Sequence, residues 1–435
     1  MSNLNPWTTE DEKNHFPCAM EWWCSEGFFK TIEDNKKWSF NSSITLGCTR
    51  KGEVGAMLKT TLFDQENDKR YEYENLNYHG IINTSPWKDL PKLKTVYKKD
   101  DVFNINHNES FIKGLFPSYK IHMIDKKNNI LYDFNLNSKS TPHWVAQDIT
   151  DGWLPWGLGF YRYGFIPKLD LYGELKIKNE KLNVKGIGYF EHAWGDWSFQ
   201  NPINSFIDLK KAISIYAKLG GWWLNNHTLK IPKSISFTSE NNPIGYDWVW
   251  AVLDNGWTIF YGNIMLWIMK GPAAGILILS KDDKNYEDYC NLEFLYKNIK
   301  WSKYYDFCYP TDLEVIAGKN KEKLYLNFKM TSECKEFVQE FPKGKYWQAF
   351  VICEAPGVVD GYYFNGEKKI KLKGFCKMEP QRQISKLGHN SLRLDFLLPP
   401  KGVSASLYLD SHLLRKKIKA QIQLFPKPKI TFSKK

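Results

Sequence analysis

The chain has 435 residues, too many for one hydrophobic core, so two domains are expected. Its 60 Lys and Arg against 48 Asp and Glu give a formal charge of +12, but the lysines are scattered and no run of like charges marks a nucleic-acid-binding arm. Aromatic residues reach 16%, which suits half-buried pleated surfaces and apolar pockets, and the positive balance reads as a solvated surface weakly attracted to anionic membranes.

The first 16 residues lack a basic region followed by an apolar run, so neither a signal peptide nor a transit peptide is expected there. No uncharged apolar stretch reaches the ~18 residues that span a bilayer. The most apolar window, residues 257–279, is broken by Lys270, Gly271 and Pro272 and reads as two strands and a turn. The eight cysteines form no CxxC pair and no zinc spacing, so reduced thiols in a cytoplasmic protein are expected, with peripheral membrane contact at most.

Short alternating or apolar segments between Gly, Asn, Asp and Pro clusters predict an all-β chain with a few peripheral helices. The first strand carries Glu21-Trp22-Trp23, a carboxyl beside paired indoles, equally readable as a barrel-floor cluster or a binding site. Strands are then expected at 43–49, 56–63 and 119–124. The loop with Asp151, Trp153 and Trp156 suits a packed turn better than a lid.

Residues 186–197, GIGYFEHAWGDW, concentrate polar and aromatic groups. On a strand, Tyr189 and Glu191 share one face, while His192, Trp194 and Asp196 share the other. That second face sets an imidazole, an indole and a carboxyl together, a general acid/base pair beside a cation-stabilising ring. For His192 alone, the commoner explanation is a buried, hydrogen-bonded histidine.

A helix is expected over 204–219. Next comes a hairpin, with Tyr246, Trp248 and Trp250 on one face and Asp247 opposite, a type I′ turn at Asn255-Gly256, and a return strand carrying Tyr261 and Asn263. Further strands are expected at 324–330 and 392–398, and a second helix over 411–422.

The segment Lys181-Leu182-Asn183-Val184-Lys185-Gly186 followed by Glu191 recurs as Lys369-Ile370-Lys371-Leu372-Lys373-Gly374 followed by Glu379. This predicts two related β-barrel or sandwich domains in tandem, 1–283 and 284–435, with the boundary in the charged segment 280–289. The second copy keeps the Glu and lacks His192 and Trp194, so the Glu reads as structural and the other two as functional.

No GxGxxG opening a helix, GxxxxGK(S/T), HExxH or GxSxG is present, which removes most support for nucleotide-dependent or zinc-dependent chemistry. Taken together, the EWW, GxGYFEHxWG and WxW-turn-Tyr segments resemble the two-domain lipocalin-like superfamily that contains hydroxyneurosporene synthase, the carotenoid 1,2-hydratase, over residues 17–279. The resemblance implies tandem lipocalin-like domains and, in several members, hydration or cyclisation without cofactor or metal. It implies catalytic roles for His192, Trp194 and Tyr261; the family's Asp two residues after that Tyr is Asn263 here, an amide that cannot replace a carboxylic acid. Asp196 or Asp247, kept protonated by neighbouring rings, would then have to supply the acid.

The expectation is a cofactor-independent acid/base enzyme acting on a double bond of an apolar isoprenoid-type substrate held between the domains. His192 and Asp196 would handle protons, Tyr261 and Asp247 assist, and Trp22, Trp23, Trp194, Trp248, Trp250, Glu21 and Asn263 bind. The rivals are a lipid or isoprenoid carrier that changes no bond, and a stress-related lipocalin-like protein with a filled interior.

Overall fold

The protein was analysed as a computed structural model that describes residues 7–15, 18–48, 53–81, 103–156, 159–197, 208–226, 234–238, 244–266, 271–305, 307–343, 346–387, 390–397, 403–411 and 416–434. It is all-β, built as two compact lipocalin-like units with few helices.

The first unit is Met1–Leu219 with Ser280–Tyr286. It begins with α1 (Thr9–Glu12), β1 (Met20–Thr31), β2 (Lys37–Cys48), β3 (Glu53–Asp64), β4 (Lys69–Ile81), β5 (Phe103–His107), β6 (Ser110–Leu115), β7 (Ser118–Asp125) and β8 (Ile130–Ser138). There follow β9 (His143–Trp144), α2 (Gln147–Thr150), β10 (Trp153–Trp156), β11 (Gly159–Ile177), β12 (Glu180–Asp196) and the first turns of α3 (Leu209–Asn225). The antiparallel order is β4-β3-β2-β1-β12-β11-β8-β7-β6-β5. Its inner face packs Trp23, Phe29, Phe40, Ile44, Phe134 and Phe190 into one core.

The second unit is Gly220–Leu279 with Glu287–Lys435. Its elements include β13 (Ser234–Thr238), β14 (Ile244–Leu253), β15 (Thr258–Leu266), β16 (Gly271–Ser280), β17 (Tyr286–Tyr289), β18 (Asn291–Trp301), β19 (Cys308–Lys319) and β20 (Glu322–Met330). The chain continues through β21 (Lys335–Lys343), β22 (Tyr346–Phe364), β23 (Lys369–Leu387), β24 (Asn390–Leu397), β25 (Val403–Ser411), β26 (Lys416–Phe425) and β27 (Lys429–Lys434). One sheet runs β17-β16-β15-β14-β23-β22-β20-β19-β18, and a five-stranded sheet runs β13-β24-β25-β26-β27.

The sequence repeat corresponds to a repeated topology. β12 lies between β1 and β11 as β23 lies between β14 and β22. Both repeated residue types have a local cause. A Cβ on Gly186 would stand 2.0 Å from the Phe28 carbonyl oxygen, and one on Gly374 would stand 2.2 Å from that of Val252, so each strand crossing demands glycine. The repeated carboxyls each accept a donor from the neighbouring strand, Glu191 from Trp22 Nε1 at 2.8 Å and Glu379 from the Tyr246 hydroxyl at 2.7 Å. The two units do not follow a single cut at 283/284, because β14 registers along its whole length with β23 and so draws the hairpin at 244–266 into the second unit.

Four local expectations change. Of the helix expected over 411–422, residues 412–415 lie outside the described residues and 416–422 are strand: 416–424 read Lys-Lys-Ile-Lys-Ala-Gln-Ile-Gln-Leu, a period of two that belongs to β26. The helix expected from 204 is α3, beginning at Leu209, with 204–207 outside the described residues. In the β14–β15 hairpin only Gly256 takes a positive φ, 88°, and its N–H donates to the Leu253 carbonyl, so the turn is not the type I′ form, which needs two such residues. The thiols are not all reduced either, since Cys334 and Cys353 form a disulfide with Cα atoms 5.6 Å apart. Among the described residues, no helix is long and apolar enough to cross a membrane.

Candidate active site

β1 and β12 pair with Glu21 opposite Trp194 and Trp23 opposite His192, which brings four of the expected residues onto the inner face of the first sheet. Glu21 and His192 have no solvent-exposed surface. The carboxyl oxygen Glu21 Oε1 lies 2.9 Å from His192 Nε2. The ring is clamped by Trp23, stacked at 4.6 Å between centroids, and flanked by Trp194 at 4.7 Å.

The other ring nitrogen defines the protonation. His192 Nδ1 is 2.7 Å from the backbone oxygen of Asp11, and a carbonyl only accepts, so Nδ1 carries hydrogen. Burial holds the imidazole far down, at about 3, which disfavours the doubly protonated ring. With Nδ1 committed to the Asp11 carbonyl, Nε2 faces Glu21, and so short a contact requires a proton between them. One proton therefore lies between Glu21 Oε1 and His192 Nε2.

His15 completes the cluster. Its backbone N–H donates to Glu21 Oε1 at 2.8 Å and its Nδ1 lies 3.3 Å from the same oxygen, while its ring stacks on Trp194 at 3.8 Å. Unlike the pair it touches, the side chain is one-quarter exposed. The three atoms His15 Nδ1, Glu21 Oε1 and His192 Nε2 lie within 4.8 Å of one another, near enough to share a single cation, but a metal there would have to displace the shared proton.

The segment holding Asp11 is anchored on all sides. Thr8 donates both its N–H and its hydroxyl to Asp11 Oδ2 at 2.8 Å, and Arg162 Nη1 donates to Oδ1 at 2.7 Å. The same guanidinium lies over Trp144 at 3.8 Å and bonds the Asp151 carboxyl at 3.1 Å. Asp151 and Gly152 thereby form a packed turn leading into β10, which pairs with β11. Next to Asp11, Glu12 accepts from Trp7, Tyr119 and the Phe116 N–H, and burial raises its carboxyl to about 7.

Asp196 is not the partner of His192. Its Oδ1 accepts the Ala19 N–H at 3.3 Å, and partial burial raises its pKa. Trp22 also leaves the cluster: alternation puts it on the opposite face, with Glu191 and the hydroxyls of Tyr163 and Tyr189. Burial raises Glu191 to about 7, the consequence of a fold role that needs a carboxyl in an apolar layer.

The second unit holds Asp247, Tyr261 and Asn263 together, with Asp247 on the face opposite Trp248 and Trp250, as alternation along the strand predicts. Asn263 Nδ2 is 3.0 Å from Asp247 Oδ2 and 2.8 Å from the Tyr261 hydroxyl. Arg382 Nη2 donates to Asp247 Oδ1 at 2.8 Å, and the Tyr296 hydroxyl donates to Oδ2. Every group facing Asp247 is a donor, so it stands as an acceptor carboxylate and not as the protonated acid expected from its aromatic surroundings. Trp248 and Trp250 alternate onto the other face. Arg382 occupies the position in β23 that Trp194 occupies in β12, so the equivalent point of the second unit is an ion pair and not a proton-sharing pair.

Sequence reasoning missed His15, Asp11 and Arg162. The capping pattern Thr8-x-x-Asp11 was legible, but nothing in spacing alone connects it to His192.

The fold and the buried carboxyl–imidazole pair define a class: a two-unit lipocalin-like β protein with a polar cluster inside the first unit. No family model matches the chain, and no curated protein matches it in sequence. Among solved structures it is similar to an AttH-like protein of Nitrosomonas europaea, with 13% identity, TM-score 0.57, and coverage of 87% of this chain and 98% of the other. It is also similar to kievitone hydratase of Nectria haematococca, with 11% identity, TM-score 0.53, and coverage of 87% and 93%. At these identities the likeness is one of fold.

Proposed function

We propose that the chain is a cofactor-independent acid/base enzyme that protonates a carbon–carbon double bond of a long apolar, isoprenoid-type substrate, leaving water or an internal nucleophile to complete hydration or ring closure. The observation that carries it is the 2.9 Å contact between Glu21 Oε1 and His192 Nε2 in a wall of indoles. Glu21 takes the role expected of Asp196. Protonation of the alkene leaves a carbocation, which the faces of Trp194 and Trp23 stabilise. Water adds to that carbon and returns its proton to the pair, so the sum is addition of water and nothing else is consumed. His15, part-exposed and bonded to the same oxygen, is the route by which the pair re-equilibrates with solvent.

The hydratase among the fold's solved structures supports this class of chemistry without naming the substrate. The complete burial of Glu21 and His192 favours a second role, a carrier in which the pair only braces the first unit. Incubation with unsaturated polyprenyl compounds separates the two. The enzyme reading requires a product heavier by one water or an isomer of altered retention, lost in Glu21→Gln. Recovery of unmodified ligand by native mass spectrometry supports the carrier.

A further inference from the structure

We propose that the first turns of α3 dock the protein on an anionic lipid surface. Residues Leu209–Leu219 of this helix belong to the first unit, and Ala212, Ile215 and Leu219 among them are buried. A second apolar row lies outside that seam: Leu209, Ile213 and Tyr216, at spacings of four and three, are 42%, 57% and 42% exposed. Large apolar side chains in a row on an exposed helix face are what a bilayer interface accepts and water does not.

The neighbouring face of the helix specifies which surface. Lys210, Lys211 and Lys218 line a groove of about 340 Å³ with Ser214, Thr150 and Trp153. Lys211 Nζ lies 3.3 Å above the Trp153 ring and 4.4 Å from that of Phe160, which holds its charge at the groove wall. Asp208 is the one acidic residue lining the groove. Going round the helix axis at 100° per residue, the apolar row is followed by Ala217 and then by the lysines. Inserting Leu209 and Ile213 among acyl chains therefore brings the ammonium groups to headgroup phosphates. A basic amphipathic helix with a Trp beside it matches an anionic bilayer in both charge and polarity. The net charge of +12 adds long-range attraction.

The test is co-flotation of the full chain with phosphatidylcholine vesicles and with vesicles of phosphatidylcholine and phosphatidylglycerol at 3:1. Binding is expected to the anionic vesicles only and to weaken with salt. Ile213→Asp is expected to abolish it, and Lys210→Glu with Lys218→Glu to weaken it by a factor of at least ten, whereas the Lys→Arg pair retains it. These side chains are exposed, so unchanged thermal midpoints will show that the fold is intact. Equal binding to neutral vesicles, equal binding by Ile213→Asp, or no binding at low salt overturns the proposal. So does a wild-type dimer in solution that Ile213→Asp dissociates, since the row would then face a second copy.

Discussion

The backbone carbonyl of Asp11 accepts a 2.7 Å hydrogen bond from Nδ1 of His192, which lies 181 residues further along the chain. This contact fixes the imidazole tautomer and turns Nε2 toward Glu21. The N-terminal turn therefore orients the ring of a strand residue far away in sequence.

Replacing Glu21 by Gln keeps a side-chain donor for His192 but removes the transferable proton. Turnover should fall by about 10²–10⁴. Asp196→Asn, which leaves the pair intact, should cost less than a factor of about ten. Rates followed by mass spectrometry on the same substrate will rank the two variants, and an equal loss in both would return the acid role to Asp196.

Stability should depend on pH in a sense set by the buried carboxyls. Glu12 and Glu191 are raised from 4.5 to about 7, so the stability they contribute is complete below about 4.5 and is lost as pH rises through 7. His192, lowered from 6.5 to about 3, acts oppositely, losing stability as pH falls through that window. Between pH 4.5 and 6.5 two carboxyls oppose one imidazole, so these groups together lower stability as pH rises. Glu191→Gln should reduce the difference in urea stability between pH 5 and pH 8 by about 3 kcal/mol. A difference equal to that of the wild type would reject burial as the cause.

Arg382 neutralises Asp247 inside the second unit, both side chains being almost fully buried. Arg382→Met strands the carboxylate and should cost about 3–5 kcal/mol, whereas Asp247→Leu combined with Arg382→Met should restore much of it. Denaturant midpoints of the single and double variants provide the comparison. A double variant no more stable than the single would show that the pair is held for its hydrogen bonds to Tyr296 and Asn263.

The Cys334–Cys353 bridge joins two positions at a sequence separation of 19. A peptide map without reductant should recover the two cysteines linked, and Cys353→Ser should lower stability by about 3 kcal/mol under oxidising conditions. Free alkylation of both thiols in the native protein would show that the bridge does not form.

The amount legible beforehand differs from element to element for physical reasons. Alternation separated His192 and Trp194 from Glu191, because a strand's two faces are dictated by backbone pleat alone. The same rule separated Asp247 from Trp248 and Trp250, but its ion pair with Arg382 depends on the register of β14 with β23 and has no signature along either strand. The helix expected at 411–422 came from apolar spacing that suits either period in so short a run. The Cys334–Cys353 pair has no sequence signature, as pairing depends on which strands lie side by side.

By itself, the sequence determined that this is a β protein with a repeated strand whose Gly and Glu serve the fold, because those demands are local to each strand crossing. Only the tertiary structure decided that the partner of His192 is Glu21 and not Asp196. Proton sharing depends on distances of about 3 Å between side chains on separate strands, and such distances are set by register and packing that no residue pattern along one strand contains.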